Sequence, residues 1–448
     1  MSDSPSVSRS VPNSDDGARG IDARAIAHEL LTQILRRRQA LDDALAQHAA
    51  LNALESRDRG FARAMVTACL RQLGVIDAVL GLCLREPLKP RDAAGHDLLR
   101  LGAVQLLVLG TPAHAAVSRT VALADQVGVP HLKALINAVL RRIAEQGELM
   151  RLRIDSERKA LPDWLWASWT RTYGEDTARA VVKALMNEPP LDISMRDAGK
   201  GEDLATELGG ILLPTGSVRV TRAGLVTELP GYADGGWWVQ DAAAALPVRL
   251  MGDIKDKRVA DLCAAPGGKT LQLAAAGAKV TALDRSAPRL TRLSENLART
   301  GLHAEVVAGD AGSWNPPAPY DAVLLDAPCS ATGTARRHPD VLWLKSPGDI
   351  DKLTTAQDRL LAAAAEMVVP GGLLLYCTCS LEAAEGPERV AAFLAKDSRY
   401  TTEVISPDEI GGLADALTSE GWLRTLPHHW GEQGGLDGFF AARLRRAA

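Results

Sequence analysis

Two cysteines of the chain stand in settings that favour a chemical role. Cys329 lies in residues 326–330 (DAPCS), and Cys379 lies in residues 376–380 (YCTCS). A lone cysteine is usually a small core residue, but each of these follows an apolar run that is typical of a buried β-strand. Residues that follow neighbouring parallel strands meet at one edge of the sheet. We therefore expect both thiols to face a shared site.

A thiolate at such a site is suited to covalent catalysis on a pyrimidine ring. Carbon 5 of cytosine is a poor nucleophile, and addition of a thiolate to carbon 6 moves electron density to carbon 5, which then attacks a methyl donor. A proton must afterwards leave carbon 5, and the thiolate is expelled. Chemistry alone leaves open whether Cys329 or Cys379 attacks the ring.

The same reaction places two further demands on the site. It needs an acid near ring nitrogen 3, and Asp326 is the predicted residue, with a carboxyl that is protonated or shares a proton. Because stacking hides carbon 6 in a duplex, the target base must be extruded or already unpaired.

A turn of small residues follows an earlier apolar strand, in residues 261–270 (DLCAAPGGKT). Its glycines allow a ligand to approach the backbone closely. A phosphate-binding P-loop would need a glycine five residues before Gly268, where Cys263 stands, and the dinucleotide pattern G-x-G-x-x-G is also absent. The turn is therefore not built for phosphates.

Acidic residues are predicted to end three strands at this edge of the sheet. A carboxylate in the position of Asp284 typically binds the hydroxyls of a ribose, and we expect Asp310 to meet an adenine amino group. Such acids can also be ordinary turn residues, but three in register favour a cofactor site. A ribose and an adenine without a phosphate cradle predict S-adenosylmethionine. The predicted cofactor-binding residues are Cys263, Ala264, Ala265, Pro266, Gly267, Gly268, Lys269, Asp284, Asp310 and Asp326.

The secondary-structure elements that must position these residues follow one another in a regular order from residue 258 onward. Apolar strands, turns and helical segments alternate, which predicts an α/β domain with a doubly wound, mostly parallel sheet. We place this domain at residues 248–448. Ahead of it, short strands and a tryptophan-containing helix in residues 151–247 predict a small α+β linker domain.

The region from residue 21 to residue 150 has helical periodicity without strand alternation, which predicts an α-helical domain. It contains sixteen lysines and arginines against thirteen acidic residues, whereas the whole chain has a formal charge of -4. Three consecutive arginines, Arg36 to Arg38, are either a solvated helix face or a surface that contacts phosphates. Residues 1–20, rich in Ser, Pro and Asp, are predicted to be a disordered leader.

Several classes of protein are disfavoured by composition. No apolar run reaches the ~18–20 residues of a membrane-spanning helix, and the N-terminus lacks the features of a signal peptide. The six cysteines show neither the context of a disulfide framework nor a zinc-binding spacing. We expect a cytoplasmic protein without a metal or a membrane, and a monomer.

The chain resembles the Sun/Nop2 family of RNA cytosine-5 methyltransferases over about residues 23–446. Three specific signatures carry the resemblance: residues 261–270, residues 326–334 (DAPCSATGT) and residues 378–380 (TCS). Within this family the helical region resembles a NusB-type RNA-binding domain, with residues 137–141 (NAVLR) similar to its closing helix. Additional matches are residues 240–241 (QD), 336–340 (RRHPD) and 437–440 (DGFF).

The resemblance implies roles that the residues alone leave open. It implies a Rossmann-like S-adenosylmethionine-dependent catalytic domain, with Cys379 as the nucleophile and Cys329 assisting product release. DNA cytosine-5 methyltransferases use a Pro-Cys nucleophile, so Cys329 remains the alternative. The resemblance also implies 16S rRNA, free or in an early assembly intermediate, as the substrate. Two other functions stay open: the same chemistry on tRNA, and an RNA-binding assembly factor without activity.

One position departs from the family pattern. Members often carry Glu-Asn after the second cysteine motif, whereas here Glu385 is followed by Gly386 and Pro387. The third cysteine of this region, Cys377, is interpreted as a strand residue that faces the core.

Overall fold

A computed structural model describes residues 15–221 and 224–448, and in the first helix it describes the side chains from Ala23 onward. The chain divides into two compact units between Ala160 and Leu161. Most of the predicted leader, residues 1–14, lies outside the described residues, and the first helix begins at Asp15, inside the predicted leader. Residues 151–160, predicted to open the linker domain, belong to the first unit.

The first unit is helical throughout its described residues, as the sequence predicts. Its helices are α1 (Asp15–Leu35), α2 (Leu41–Gln47), α3 (Ala49–Ala53), α4 (Ser56–Arg71), α5 (Leu73–Cys83), α6 (Ala93–Leu107), α7 (Ala113–Gln126), α8 (Lys133–Arg151) and α9 (Ser156–Lys159). Apolar side chains repeating every three to four residues form their buried faces, for example Leu30, Leu31 and Ile34 on α1. None of the described helices is by itself long and apolar enough to cross a bilayer, although the bent pair α4–α5 passes that test together.

The arginine run after α1 is partly structural. Arg36 donates to the fully buried carboxylate of Asp97 at 2.7 Å, and Arg100 donates to the other oxygen of Asp97 at 3.0 Å. Arg100 also pairs with Asp77 at 2.6 Å. Arg36 therefore ties the end of α1 to α6, although it stays exposed like Arg37 and Arg38. Helical periodicity and net charge do not predict this ion pair, because they do not show which acid an arginine will meet. Contact of this surface with phosphates stays a prediction.

The second unit contains all the described strands. Its helices are α10 (Asp163–Tyr173), α11 (Glu175–Leu185), α12 (Gly201–Glu207), α13 (Ala242–Arg249), α14 (Gly268–Ala275), α15 (Ala287–Thr300), α16 (Val341–Leu344), α17 (Pro347–Glu366) and α18 (Pro387–Lys396). Its strands are β1 (Leu191–Met195), β2 (Ile211–Leu212), β3 (Val218–Val220), β4 (Trp237–Val239), β5 (Arg258–Leu262), β6 (Lys279–Asp284), β7 (Glu305–Ala308), β8 (Tyr320–Asp326), β9 (Val368–Thr378), β10 (Tyr400–Thr402), β11 (Leu423–Thr425) and β12 (Phe439–Arg446).

Two sheets organise this unit. The small sheet is antiparallel, in the order β2-β3-β1-β4, and its strands fall in the predicted linker region. The large sheet has the order β10-β12-β9-β8-β5-β6-β7, with β11 also pairing with β12. Its β9-β8-β5-β6-β7 part is parallel, which confirms the predicted doubly wound, mostly parallel sheet. The antiparallel strands β10, β11 and β12 were not predicted.

The register of the central strands sets the position of the site. Strands β5 and β8 are apolar on both faces, as buried parallel strands are, with Ala260, Leu262 and Val323 fully buried. Leu262 pairs with Leu325, and Asp326 pairs with Cys377. Three strand ends therefore lie side by side, and the turns that follow them share one edge of the sheet.

The buried ion pairs of the first unit give a test of its packing. We expect Asp97→Ala to destabilise the helices α1 and α6 by about 3 kcal/mol, because it leaves two arginine partners without their buried carboxylate. Hydrogen–deuterium exchange of the amides in α1 and α6 measures this loss of protection. The matched control is Asp125→Ala, which removes the exposed pair with Lys133 and should change protection by at most about 1 kcal/mol. Equal exchange in the two variants would contradict the assigned role of Asp97.

Candidate active site

A cavity of about 460 Å³ opens at the carboxyl edge of the large sheet. It brings together seven of the predicted residues, which come from the turn after β5, the end of β8 and the segment after β9. These residues are Ala264, Ala265, Pro266, Gly268, Lys269, Asp326 and Cys379. The prediction that turn, acid and thiol face a shared site is consistent with this arrangement.

The turn after β5 has the backbone shape that its small residues allow. Cys263 has a φ of 62° and Gly267 a φ of 107°. A Cβ atom on Gly267 would lie 2.8 Å from the Cγ of Leu293, so both the conformation and the close approach require glycine there. The N–H of Ala265 donates to the buried carboxylate of Asp284 at 3.1 Å, so this acid also holds the turn in place.

A second, smaller cavity of about 110 Å³ contains the other predicted acids. It is lined by Cys263, Asp284 and Asp310, together with Arg359 and further residues. Both oxygens of Asp310 accept from Arg359, at 3.1 and 3.0 Å. The N–H of Gly312 and this guanidinium lower the pKa of Asp310. Apart from Gly267, which lines neither, the predicted cofactor residues divide between the two cavities. The consecutive residues Ala264 and Cys263 line the larger and the smaller cavity respectively.

Asp261 is a candidate that the sequence prediction missed. Its side chain is fully buried at the end of β5 and lines the larger cavity. One oxygen accepts from the hydroxyl of Thr270 at 2.6 Å, and the other has no hydrogen-bond partner among the described residues. Burial, together with the charge of Asp326, raises the pKa of Asp261 to about 7. Asp261 is the first residue of the cofactor signature, but nothing in that pattern indicates that one of its oxygens lacks a partner.

Lys269 and Asp326 form an ion pair in the wall of the cavity. The ammonium of Lys269 lies 2.8 Å from Oδ2 of Asp326 and 4.9 Å from the ring centre of Phe439. Burial alone would lower the pKa of Lys269, but the charge and hydrogen bond of Asp326, together with the nearby thiols of Cys377 and Cys379, raise that pKa. Lys269 therefore keeps its ammonium group beside the carboxyl of Asp326.

The sulfur atoms of Cys329 and Cys379 lie 3.4 Å apart. Cys379 lines the larger cavity, whereas Cys329 is not among the residues that line it. The hydrogen bond with Cys379, reinforced by burial, raises the pKa of Cys329 well above its usual range. Cys329 therefore stays a thiol at neutral pH and can donate to the sulfur of Cys379.

Cys377 differs from these two. It is fully buried in β9, as the core interpretation predicts. Its thiol donates to Oδ1 of Asp326 at 3.6 Å, and burial raises its pKa well above the usual range. Cys377 thus contacts Asp326 from within the hydrophobic core.

One buried carboxylate connects the two cysteine segments. The side chain of Glu385 accepts from the N–H and hydroxyl of Ser330, at 2.8 and 2.5 Å, and from the hydroxyl of Ser380 at 2.6 Å. A fourth bond comes from Gln357 at 3.1 Å. Since each serine directly follows a cysteine, Glu385 fixes the positions of both thiols, and Gly386 in place of the family's usual Asn does not leave this acid unpartnered.

A cluster of four charged side chains, of which all but Arg337 are buried, closes another wall. Asp241 accepts from Arg336 at 3.1 Å and from Arg337 at 2.8 Å, and Arg336 also donates to Asp437 at 3.2 Å. Burial alone would raise the pKa of Asp241, but the two arginines lower it, while burial raises the pKa of Asp437. These residues lie in three of the short matches quoted above, to which the sequence assigned no role.

The described residues contain no group of three or more His, Cys, Asp or Glu side chains arranged to hold a metal ion. All six cysteines are free.

Two family models match successive parts of the chain. The model of the family "16S rRNA methyltransferase RsmB/F" matches residues 250–445, and that of the NusB family matches residues 21–145. Ribosomal RNA small subunit methyltransferase B from Pseudomonas putida is 35% identical over 451 residues, covering 96% of this chain and 99% of that protein. The protein of the same name from Xylella fastidiosa is 37% identical over 439 residues, covering 95% and 98%.

Two solved structures share the fold. PH0851 covers 98% of this chain and 100% of its own, with a TM-score of 0.74 and 23% identity. NSun6 from Pyrococcus horikoshii, solved with SFG, covers 64% of this chain and 98% of its own, with a TM-score of 0.55 and 19% identity. The similarity to the curated relatives spans nearly the full length of both chains and includes the predicted NusB-like region, so the chain belongs to the ribosomal RNA small subunit methyltransferase B family.

Proposed function

We propose that this protein transfers a methyl group from S-adenosylmethionine to carbon 5 of a cytosine in small-subunit rRNA, through a covalent bond between Cys379 and carbon 6. The observation that carries the proposal is the pair of sulfur atoms 3.4 Å apart, one of them in a cavity lined by the cofactor turn and Asp326. The names of the relatives support rRNA of the small subunit as the substrate.

The residues present fit S-adenosylmethionine. The turn at Ala264 to Lys269 offers backbone rather than a phosphate cradle, and the buried oxygen of Asp261 without a partner suits a positively charged group. Asp284 and Asp310 line the smaller cavity, and we assign them to the ribose and the adenine. The related fold solved with SFG, an analogue of this cofactor, supports the same assignment. When bound, S-adenosylmethionine supplies an electrophilic methyl group.

Cys379 performs the covalent step. Its thiolate forms a bond to carbon 6 of the cytosine, and the electron pair of the ring double bond moves toward carbon 5. After carbon 5 has gained the methyl group, it loses its proton to a base, the double bond reforms, and the bond to sulfur breaks. The role fits Cys379 better than Cys329, because Cys379 lines the cavity and Cys329 is held as a thiol.

Asp326 and Lys269 together handle the proton at ring nitrogen 3. Addition of the thiolate increases the negative charge on the ring, and nitrogen 3 needs a hydrogen-bond donor or a proton. The ammonium of Lys269 lies 2.8 Å from Oδ2 of Asp326, so it can pass a proton to this carboxyl as charge builds up at nitrogen 3. Cys329 donates to the sulfur of Cys379 and stabilises the leaving thiolate when the adduct breaks down, which agrees with a role in product release.

The reaction itself is tested by its product. We expect the purified protein, given S-adenosylmethionine and a small-subunit rRNA transcript, to form 5-methylcytidine, detected by mass spectrometry of the digested RNA. Bisulfite sequencing then identifies the cytosine. Methylation at another atom or base would contradict the proposal, and preferential methylation of tRNA would correct the substrate.

The nucleophile is tested by Cys379→Ala. Because this change removes the sulfur that forms the bond to carbon 6, we expect loss of methyl transfer, with binding of S-adenosylmethionine retained in calorimetry. Cys83→Ala in the first unit is the matched control and should leave transfer unchanged. Normal transfer by Cys379→Ala would exclude the covalent role.

The release role is tested by Cys329→Ala. Without its donor to the Cys379 sulfur, we expect breakdown of the adduct to slow, so that a protein–RNA complex accumulates and survives denaturing electrophoresis. If the complex instead forms in Cys379→Ala and is absent from Cys329→Ala, the two cysteines have the opposite roles.

A further inference from the structure

The segment that follows the nucleophile is bound to a helix far upstream in the sequence. The carboxylate of Glu382 accepts from the hydroxyl of Ser168 at 2.5 Å and from the indole N–H of Trp169 at 2.8 Å. One turn later on the same helix, the hydroxyl of Tyr173 donates to the carbonyl of Leu381 at 2.5 Å. We call these three α10 residues, Ser168, Trp169 and Tyr173, the α10 clamp.

The clamp is a buried polar contact rather than a surface one. Trp169 is fully buried and Glu382 is 5% exposed. Both oxygens of Glu382 are occupied by donors from α10. Burial raises the pKa of Glu382, although these two hydrogen bonds act in the opposite direction. Loss of either donor would leave a carboxylate oxygen buried without a partner, which is unfavourable and promotes movement of the segment.

The clamp is connected to Cys379 by a short chain of hydrogen bonds. The N–H of Glu382 donates to the hydroxyl of Ser380 at 3.0 Å, and that hydroxyl donates to Glu385 at 2.6 Å. On the other side, the carbonyl of Cys379 accepts from the N–H of Gly333 at 3.0 Å. The backbone of the nucleophile is therefore held between the segment of the other cysteine and the segment that the α10 clamp binds.

Cys379 needs such support because of its place in the sheet. Strand β9 ends at Thr378, which is also where its pairing with β12 ends, opposite Phe440. The nucleophile is thus the first residue beyond the ladder, and the ladder does not fix the direction of its side chain. An error of about 1 Å in the position of a reacting group can cost about a hundredfold in rate.

We propose that Ser168, Trp169 and Tyr173 are positioning residues for Cys379, which set the placement of its sulfur through Glu382 and Leu381 without touching the substrate. The inference rests on the proposed covalent function. It assigns a catalytic consequence to α10, which lies outside the large sheet and outside every signature that identified the catalytic domain.

The experiment separates positioning from folding by trapping the adduct. RNA containing 5-fluorocytosine blocks the loss of the carbon 5 substituent, so each competent site should retain one RNA. The amplitude of trapping counts competent sites, and the rate constant reports how well Cys379 is placed. We expect Trp169→Phe, which keeps a buried ring but removes the N–H, to lower the rate constant about tenfold or more, with similar amplitude and unchanged binding of S-adenosylmethionine.

Matched variants sharpen the comparison. Trp164→Phe makes the same change on the same helix at a residue that is not part of the α10 clamp and should trap at the wild-type rate. Ser168→Ala should lower the rate constant, whereas Ser168→Thr, which keeps the hydroxyl, should restore it. Glu382→Gln, which keeps the shape of the acceptor, should behave like Trp169→Phe and provides a second measurement if that variant folds poorly.

The outcomes distinguish the two proposals. A wild-type rate constant in Trp169→Phe and Glu382→Gln, or a fall in amplitude alone, would overturn the positioning role and leave the covalent function intact. Absence of any trapped adduct in the wild-type protein would overturn the covalent function and, with it, this inference.

Discussion

The carboxylate of Glu385 lies fully buried between the two cysteine segments and accepts four hydrogen bonds there. A buried charge is tolerated only when donors surround it, so this acid forces Ser330, Ser380 and Gln357 to converge. The sulfur atoms of Cys329 and Cys379 come within 3.4 Å because the serine after each cysteine is bound to the same group. The distance between the two sulfur atoms thus depends on the need of a buried carboxylate for hydrogen-bond donors.

Much of the fold could be predicted because local patterns determine it. The apolar runs of β5 and β8 and the small residues between β5 and α14 indicate a parallel sheet, and parallel strands place Asp284 and Asp326 at one edge. The small-residue turn after β5 and the acids at the strand ends were predicted to bind the cofactor, and all of them except Gly267 line one of the two cavities. These predictions required only spacing along the chain and the rule that strand ends share an edge.

The remaining features depend on which distant residues meet, and sequence spacing does not contain this information. The ion pair of Arg36 with Asp97 joins residues that lie 61 positions apart in the sequence, so spacing does not predict it. Asp261 carries no sign that one of its oxygens will be buried without a partner. The partners of Glu382 lie more than two hundred residues upstream. Such contacts follow from the packing of complete elements, and they include most of what holds the reactive groups in place.

The position of β12 has a consequence for how the chain acquires its structure. This strand is made late, yet it lies inside the sheet, between β9 and β10. Until it pairs, the side of β9 that later pairs with Leu444 and Phe440 is an open edge with the apolar residues Leu374, Leu375 and Tyr376. Free apolar edges promote pairing between chains. Newly made protein is therefore most prone to aggregation in the interval before residues 439–446 are available, and its active site is completed in the same event that removes this edge.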